Sequence, residues 1–583
     1  MDVQKYFQHA GGALRTPAQI VFDFLPERST RPRFMVAENG DWKAVTWQAF
    51  ADQIRDVALY LGTEMQTGDR ACIFAPNRVE WMSAALAIQA MGGVMVPIYG
   101  SSTADQAGYV IEHSDAKVVF VDTKAMLARV LEAWPQLDAV RRVVLMDDAL
   151  DPQALAAELR TAGKSAPSPK ELDQRFVTWS RARALGAARH REDEGAFSRA
   201  LESVSLDQPG VMLYTSGTSG RPKGVPLTHR NVGTNGRDWY EVLAPLLDEG
   251  MVDVLWLPMS HIYGFGEAGI GNQLGWVTYL ADAREVLELL PKIRPSVFMS
   301  VPSYWDKLAS QALAAGTERK VQIAKLRELT GGQFRFCLSG GAGLKREVKE
   351  LFHDAGLLIV EGYGLTECSP TLTMNRPDSF RFDSVGKPFP SVQLKLAEDG
   401  EILAKGPNVF SGYHKDPKAT QECFTDDGWL KTGDVGRWTD DGFLQIVDRK
   451  KDILVTAGGK NVAPANIEIR FRDDALIDHV VVFGDGEKFL VAGVWPNRAA
   501  VHAALAEQGA SPSPEAVEAL LWKRVERVNA ELASYESIKK IVVMDEPLSV
   551  EGGLLTPTLK VKRKAVYERF GKTFAALYEA RPC

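Results

Sequence analysis

Short apolar runs alternate with helical patterns through the first third of this 583-residue chain. Ala71–Phe74, Lys117–Val121 and Arg142–Met146 read as buried strands. Strands separated by helices pair in parallel, because each helix carries the chain back across the sheet and covers it. Trp81 to Ala104 carries no charge and so imitates a membrane span. A span needs about 20 continuous apolar residues, but Gln89, Gly92-Gly93 and Pro97 interrupt this one. The stretch therefore reads as a buried helix (Trp81–Met91), a glycine turn and a buried strand (Val94–Ile98). Asp151 to Ala200, rich in Ala, Arg and Glu, is expected to be a solvated helical insertion broken at Ser165–Pro169.

From Leu206 the strand candidates end in glycine-rich or polar turns: Val211–Tyr214, Val252–Leu257, Val297–Val301, Phe334–Leu338 and Leu357–Val360. Ligands on open α/β sheets gather beyond the carboxyl ends of strands, so the site is expected in those turns. Between Ser391 and Val447 the chain turns β-rich, with hairpin signals at Asp399-Gly400, Asp427-Gly428 and Asp441-Gly442. The basic cluster Asp448–Asp452 marks a boundary between an N-terminal domain (1–447) and a C-terminal one (453–583). The latter holds a hairpin about Asp485-Gly486 and charged helices from Ser513 to Leu532.

The net charge of −7 argues against a nucleic-acid binder, which needs a basic face. The five cysteines are scattered, with no C-x-x-C pair. That excludes a disulfide framework or zinc knuckle and fits a reducing compartment. The N-terminus lacks a basic start and apolar run. A cytoplasmic protein without a transmembrane segment is expected, with any membrane contact peripheral.

The strongest chemical signal is Tyr214-Thr215-Ser216-Gly217-Thr218-Ser219-Gly220-Arg221-Pro222-Lys223-Gly224, in which seven of eleven residues are Thr, Ser or Gly. Glycines let backbone N–H groups turn inward, hydroxyls add donors and Lys223 adds positive charge, which together suit a polyphosphate. The spacing is not that of a Walker A loop. Further motifs follow in order: Leu257-Pro258-Met259-Ser260-His261, Ser339-Gly340-Gly341-Ala342, Glu361-Gly362-Tyr363-Gly364-Leu365-Thr366-Glu367, Thr432-Gly433-Asp434, Asp448–Asp452, Gly458–Val462 and a late lysine, Lys560. Together they resemble the adenylate-forming enzymes: acyl-CoA synthetases, peptide-synthetase adenylation domains and firefly-type luciferases. The likeness extends from about Thr46 to Phe570.

The resemblance implies an α/β fold with a large N-terminal domain of α/β subdomains plus a β-rich subdomain, and a small mobile C-terminal α+β domain. It also implies a two-step reaction. A carboxylate attacks the α-phosphorus of ATP to give an acyl-adenylate and pyrophosphate, and a thiol then releases AMP. The first step brings an anion to a polyanion, so positive charge must be preplaced.

On this reading the Thr215–Gly220 loop and Lys223 hold phosphates. Glu367, with Thr215, holds Mg²⁺, which takes one or two hard protein oxygens. Gly340, Gly341, Ala342, Glu361, Gly362, Tyr363, Gly364 and Thr366 form the nucleotide pocket, with Tyr363 on adenine. Asp434 would accept both ribose hydroxyls and Arg449 would reach ribose or phosphate, although alone the pair reads equally as a hairpin residue and a boundary salt bridge. His261 would lie near the incoming carboxylate; by itself it is as readily structural. Lys560, with Lys562 as the register alternative, would meet the carboxylate and α-phosphate. Many members have Ser-Gly-Lys here, where this chain has Thr558-Leu559-Lys560. Lys451, within 448–452, takes the hinge position, and Gly458 and Gly459 the coenzyme A channel.

The motif wording resembles the long-chain fatty acyl branch. A carboxylic acid, ATP, Mg²⁺ and coenzyme A are the implied partners. A carrier-protein thiol, an aryl acid, a non-catalytic adenylate binder and a luciferase-like oxygenase are the alternatives. Trp239, Tyr240, Phe265, Trp276 and Tyr279 read equally as an acyl channel or as plain core.

Overall fold

The computed structural model describes residues 13–215, 221–472, 474–556 and 559–579. These form two compact units, one comprising the described residues up to 215, 221–394 and 404–430, the other 395–403 and the described residues from 431 onward.

The first unit contains two parallel-cored sheets. In the seven-stranded sheet the order is Phe176–Thr178, Arg142–Leu145, Val118–Val121, Arg70–Phe74, Val94–Pro97, Pro209–Thr215 and Lys223–Thr228, parallel except for the last pair. The nine-stranded sheet runs Lys387–Pro388, Thr371–Met374, Ile359–Gly364, Phe336–Ser339, Val297–Ser300, Val252–Leu255, Val277–Leu280, Pro32–Glu38 and Asp41–Thr46. Its centre is parallel and its edges are antiparallel. One continuous apolar core joins faces of both sheets. The strands buried on both faces are runs such as Val118–Val121 (VVFV), as expected of parallel sheets under helices.

The charge-free stretch forms the buried helix Val79–Ala90, the glycine turn and the strand Val94–Pro97. Gln89 Nε2 ties this helix to the sheet by donating to the Gly210 carbonyl at 3.1 Å. Among the described residues no helix is long and apolar enough to cross a membrane.

The expectation of a solvated insertion at Asp151–Ala200 is corrected. Phe176–Thr178 is the edge strand of the seven-stranded sheet. The helix Trp179–Glu192 packs on the helix Trp47–Leu61. Trp179, Ala182, Phe197 and Leu201 enter the main core. Trp179 and Ala182, one turn apart, dock the otherwise arginine-rich helix, and Phe197 and Leu201 dock the following helix Ala196–Ser203, because the other faces carry the charges.

The second unit contains the sheet Gln393–Leu396, Glu401–Lys405, Leu430–Trp438 and Leu444–Arg449, whose first strands begin or end in the first unit's residues. It also contains the short hairpin Leu454–Val455/Asn461–Val462. A three-stranded sheet, Ile477–Phe483, Leu490–Pro496 and Ile538–Val543, has apolar clusters on both faces. The helices Pro514–Asn529 and Arg563–Glu579 cover them. The hairpin turns expected at Asp399-Gly400, Asp441-Gly442 and Asp485-Gly486 all join antiparallel neighbours or sheet partners.

Candidate active site

In the first unit His261, Gly340, Gly341, Ala342, Glu361, Gly362, Tyr363 and Gly364 lie at or just beyond the carboxyl ends of strands in one run of four adjacent parallel strands, Val252–Leu255, Val297–Ser300, Phe336–Ser339 and Ile359–Gly364. Parallel strands present such ends side by side, and this is where an α/β sheet leaves room for a ligand.

The first of these strands leads to His261, which caps the helix Ile262–Leu274 by accepting the Tyr263 N–H on Nδ1 at 3.1 Å. With Nδ1 accepting, a neutral ring carries its proton on Nε2. Asn77 clamps the preceding turn, donating to the Leu257 carbonyl and accepting the Met259 N–H, both at 2.8 Å.

Gly340, Gly341 and Ala342 follow the third strand, the last two exposed. Tyr263 lies under this turn. A Cβ on Gly340 would stand 3.1 Å from its ring, and its hydroxyl donates to the Leu338 and Ser300 carbonyls at 3.1 and 3.3 Å. Glu361 pairs in register beside Ser339. Its carboxylate accepts the Leu344 N–H at 2.9 Å and pairs with buried Lys349 at 2.5 Å. Burial pushes the Glu361 acid up, against the pull of Lys349. Glu361 thus fixes the far side of the glycine turn with its side chain already engaged. Tyr363 is half-buried on the neighbouring strand between Gly362 and Gly364, opposite Thr373, and Thr366 opens the short turn to Glu367.

Ser216, Gly217, Thr218, Ser219 and Gly220 lie outside the described residues. The flanks of their loop are described. Thr215 ends one strand and pairs across an antiparallel ladder with Lys223. Lys223 Nζ lies 4.8 Å from the Tyr413 ring centre, and the Tyr413 hydroxyl donates to Glu367 Oε1 at 2.8 Å. Desolvation first, then the Glu367 charge, raise the Tyr413 phenol, so it stays a donor. Tyr413 therefore links the loop lysine to the buried acid. One such carboxylate, with the Thr215 hydroxyl, fits Mg²⁺, which takes its remaining ligands from phosphates and water.

A cavity of about 160 Å³ opens behind Tyr263 and Pro370, lined by the helices Pro17–Arg28, His229–Leu243 and Ile262–Leu274. Trp239, Tyr240 and Phe265 line it. Trp276 and Tyr279 do not. Trp276 is core, its indole N–H on the Asp248 carbonyl at 3.0 Å, and Tyr279 packs edge-on against Trp42.

In the second unit Asp434 and Arg449 stand opposite each other in the antiparallel pair Leu430–Trp438/Leu444–Arg449, with Arg449 Nε 2.9 Å from Asp434 Oδ1. Asp434 is 8% exposed and Arg449 53%. Glu401 holds the turn by accepting the Gly433 N–H at 3.0 Å and the Lys450 ammonium at 2.8 Å. Lys560 belongs to the same electrostatic group. Although solvent-accessible, its ammonium is lowered from the ordinary lysine value by desolvation first and by Arg449 second, with Asp434 acting the other way.

Lys560 sits in a hairpin in which the Lys560 N–H reaches Thr556 Oγ1 at 3.0 Å and the Lys562 N–H reaches the Leu554 carbonyl at 2.8 Å. Leu559, just before it, has φ +60° and is 65% exposed. That is the backbone region glycine favours, and it falls where the resembling family carries glycine. Lys451 is exposed, just past the pair Lys450–Asp399. Gly458 and Gly459 form the tip of the 454–462 hairpin, held by the Gly459 N–H on the Thr456 carbonyl at 2.8 Å.

Sequence reading missed Tyr413, Tyr263, Lys349 and Glu401. Each acts through a residue distant in the chain. Only Tyr413, in the turn-like Ser411-Gly412-Tyr413, carried a local signal.

Comparison with known proteins agrees with this geometry. The AMP-binding enzyme family matches residues 25–414 and the AMP-binding enzyme C-terminal domain residues 451–582. The long-chain-fatty-acid–CoA ligase FadD15 of Mycobacterium bovis is 34% identical, over 93% of this chain and 93% of its own. The long-chain-fatty-acid–CoA ligase 5 of Rattus norvegicus is 30% identical, over 93% and 85%. The fold is shared with the A domain of a carboxylic acid reductase from Segniliparus rugosus, solved with AMP and a co-purified carboxylic acid (TM-score 0.79, 22% identity, 99% and 96% coverage). With strand-end turns, an acidic loop partner and a C-terminal domain all in the matching order, the chain belongs to the AMP-binding enzyme family of adenylate-forming proteins.

Proposed function

We infer that the chain is an ATP-dependent fatty acid–CoA ligase. A fatty acid carboxylate attacks the α-phosphorus of ATP, releasing pyrophosphate, and the coenzyme A thiol then attacks the acyl carbon, releasing AMP. The observation that carries the acid's identity is the position of Tyr263. Its ring touches the glycine turn on one side and borders an apolar cavity on the other. An apolar tail seated there leaves its carboxylate at the strand ends. The relatives named as long-chain-fatty-acid–CoA ligases support the same reading.

The residue roles follow from charge. Lys223 neutralises phosphate, Asp434 accepts ribose hydroxyls and Arg449 orients Asp434. Lys560 offsets charge on the carboxylate and α-phosphate, and His261 Nε2–H donates toward the carboxylate. Mg²⁺, held by Glu367 and Thr215, would neutralise the phosphates when bound. Lys451 is the hinge of the second half-reaction and Gly458-Gly459 pass the thiol.

The test follows pyrophosphate and AMP release with ATP, Mg²⁺ and a panel of fatty and aryl acids, with and without coenzyme A. AMP release that needs both a fatty acid and coenzyme A is expected. Pyrophosphate release indifferent to coenzyme A would move the acceptor to a carrier-protein thiol, and no release with any acid would sink the ligase reading.

A further inference from the structure

The helix Ala104–His113 touches both flanks of the phosphate-binding stretch. It carries Tyr109 and His113 one turn apart, which places both side chains on one face. His113 Nδ1 and the Tyr214 hydroxyl share a hydrogen bond of 2.9 Å. The Tyr109 hydroxyl donates to the Pro222 carbonyl at 3.0 Å, and the Arg221 guanidinium lies 4.9 Å from the Tyr109 ring centre. Tyr214 directly precedes Thr215, and Pro222 directly precedes Lys223. One helix face therefore grips the chain beside Thr215 and beside Lys223.

The grip is packed as well as hydrogen-bonded. The Tyr109 ring centre lies 5.1 Å from that of His113, and Tyr109 meets Tyr214 edge-on at 6.2 Å. Tyr214 is buried, and a Cβ on Gly224, its partner across the ladder, would stand 3.3 Å from its ring. The same helix end reaches the turn that carries Tyr413. His113 meets His414 edge-on at 5.5 Å, and Lys415 Nζ pairs with Asp115 Oδ1 at 2.8 Å. The ladder sets Thr215 opposite Lys223, but Lys223–Thr228 is the edge strand of its sheet. An edge strand has no strand beyond it to hold its outer side, so the two aromatic side chains supply a restraint that the sheet does not.

We propose that Tyr109 and His113 are positioning residues, a clamp that acts through Pro222 and Tyr214 to hold Lys223 and Thr215 in place for the polyphosphate of Mg·ATP. A preplaced charge helps only if it stays where the phosphates arrive, and a displacement of about 1 Å can cost 10²-fold in rate. AMP lacks the β- and γ-phosphates, so its binding does not draw on the clamp. This inference deepens the ligase reading and rests on it for the presence of Mg·ATP beside Thr215 and Lys223.

The test measures equilibrium binding of Mg·ATP and of AMP by calorimetry, and KM for ATP and for a fatty acid in coenzyme-A-dependent AMP release. Tyr109→Phe and Tyr214→Phe each delete one hydroxyl. Each is expected to weaken Mg·ATP binding and raise KM for ATP by roughly 3–10-fold, the worth of one hydrogen bond. AMP binding, KM for the acid and the melting temperature should stay as in the wild type. His113→Leu should weaken Mg·ATP binding at least as much, and His113→Asn, which keeps a polar atom at the Nδ1 position, should recover most of it. Unchanged Mg·ATP binding in the two Phe variants overturns the proposal. So does an equal loss for Mg·ATP and AMP, which is what general loosening of the fold would give, and so does a His113→Asn variant no better than His113→Leu. Should the His113 variants fail to fold, the two Phe variants decide. If the wild type binds Mg·ATP but releases no AMP with any acid, the ligase reading falls while the binding comparison still decides the clamp. If the wild type binds Mg·ATP no more tightly than AMP, the polyphosphate site falls and the clamp with it.

Discussion

Lys560 occupies a position where its charge state decides its use. In the role proposed for it, its ammonium must be present when a carboxylate approaches the triphosphate, and a preplaced charge of this kind contributes on the order of 10²–10³ in rate. Lys560→Ala should therefore lower adenylation by that order, while thiolation of supplied acyl-adenylate stays within a few-fold. Separate half-reaction assays check this, and equal losses would remove Lys560 from the first step. The pH dependence has a definite sign. Desolvation and Arg449 lower the ammonium's pKa, so protonation is lost at a lower pH than for an ordinary lysine. Adenylation should decline on the alkaline side below that value, and Lys560→Arg should move the decline upward. Lys560, Asp434 and Lys223 could be singled out as candidates in the sequence because ordered motifs name single residues. Tyr413 and Lys349 were not. Their contacts with Glu367 and Glu361 span 46 and 12 positions, and no local pattern encodes such a pairing.

At the scale of elements, hairpin turns were legible because Asp-Gly chemistry is local, whereas docking of polar helices was not. The helix Trp179–Glu192 closes on its neighbour through Gly186, where a Cβ would fall 1.7 Å from the Asp56 carbonyl oxygen. Gly186→Ala should force the two helices apart and cost about 1–3 kcal/mol, as overpacking does. Chemical denaturation measures it, and an unchanged midpoint would return this helix to the role of a loosely attached insertion. The hairpin tip at 454–462 needs a comparable distinction between space and backbone. Gly459 has φ +72°, so any side chain there is strained, while Gly458 lies outside that region with its nearest neighbour, Thr456 Oγ1, at 3.9 Å from a Cβ. Gly458→Leu is thus the cleaner probe of the thiol path. It should slow thiolation roughly 10-fold or more by misplacing the thiol, with adenylation and melting temperature unchanged. Intact thiolation would take the glycine pair out of the coenzyme A channel.

Across the whole molecule the parallel-sheet architecture was legible because period and strand-end turns repeat, but the cavity behind Tyr263 was not. Its walls come from the N-terminal helix, the helix after the phosphate loop and the helix after His261, segments that only the folded sheets bring together. Of the five aromatics suspected from sequence, the three on helices line it and the two near or on the strand Val277–Leu280 do not. Composition cannot separate those cases. The cavity's capacity is set instead by absent side chains. Gly266 and Gly269 line it, and a Cβ on either meets nothing within 4 Å. Gly269→Leu should therefore fit without displacing protein, and in a helix interior it replaces the poorest non-proline former with a good one, a gain of about 0.8–1 kcal/mol. The added side chain occupies space that a tail would otherwise use. The variant should melt no lower than the wild type, keep activity toward short acids and lose activity toward long ones, so that the optimum in a chain-length series of AMP-release assays moves down. A lowered melting temperature would mean that the cavity is smaller than its walls suggest. An unmoved optimum with stability intact would place the tail elsewhere, and with it the reading of Tyr263 as the divide between acid and nucleotide.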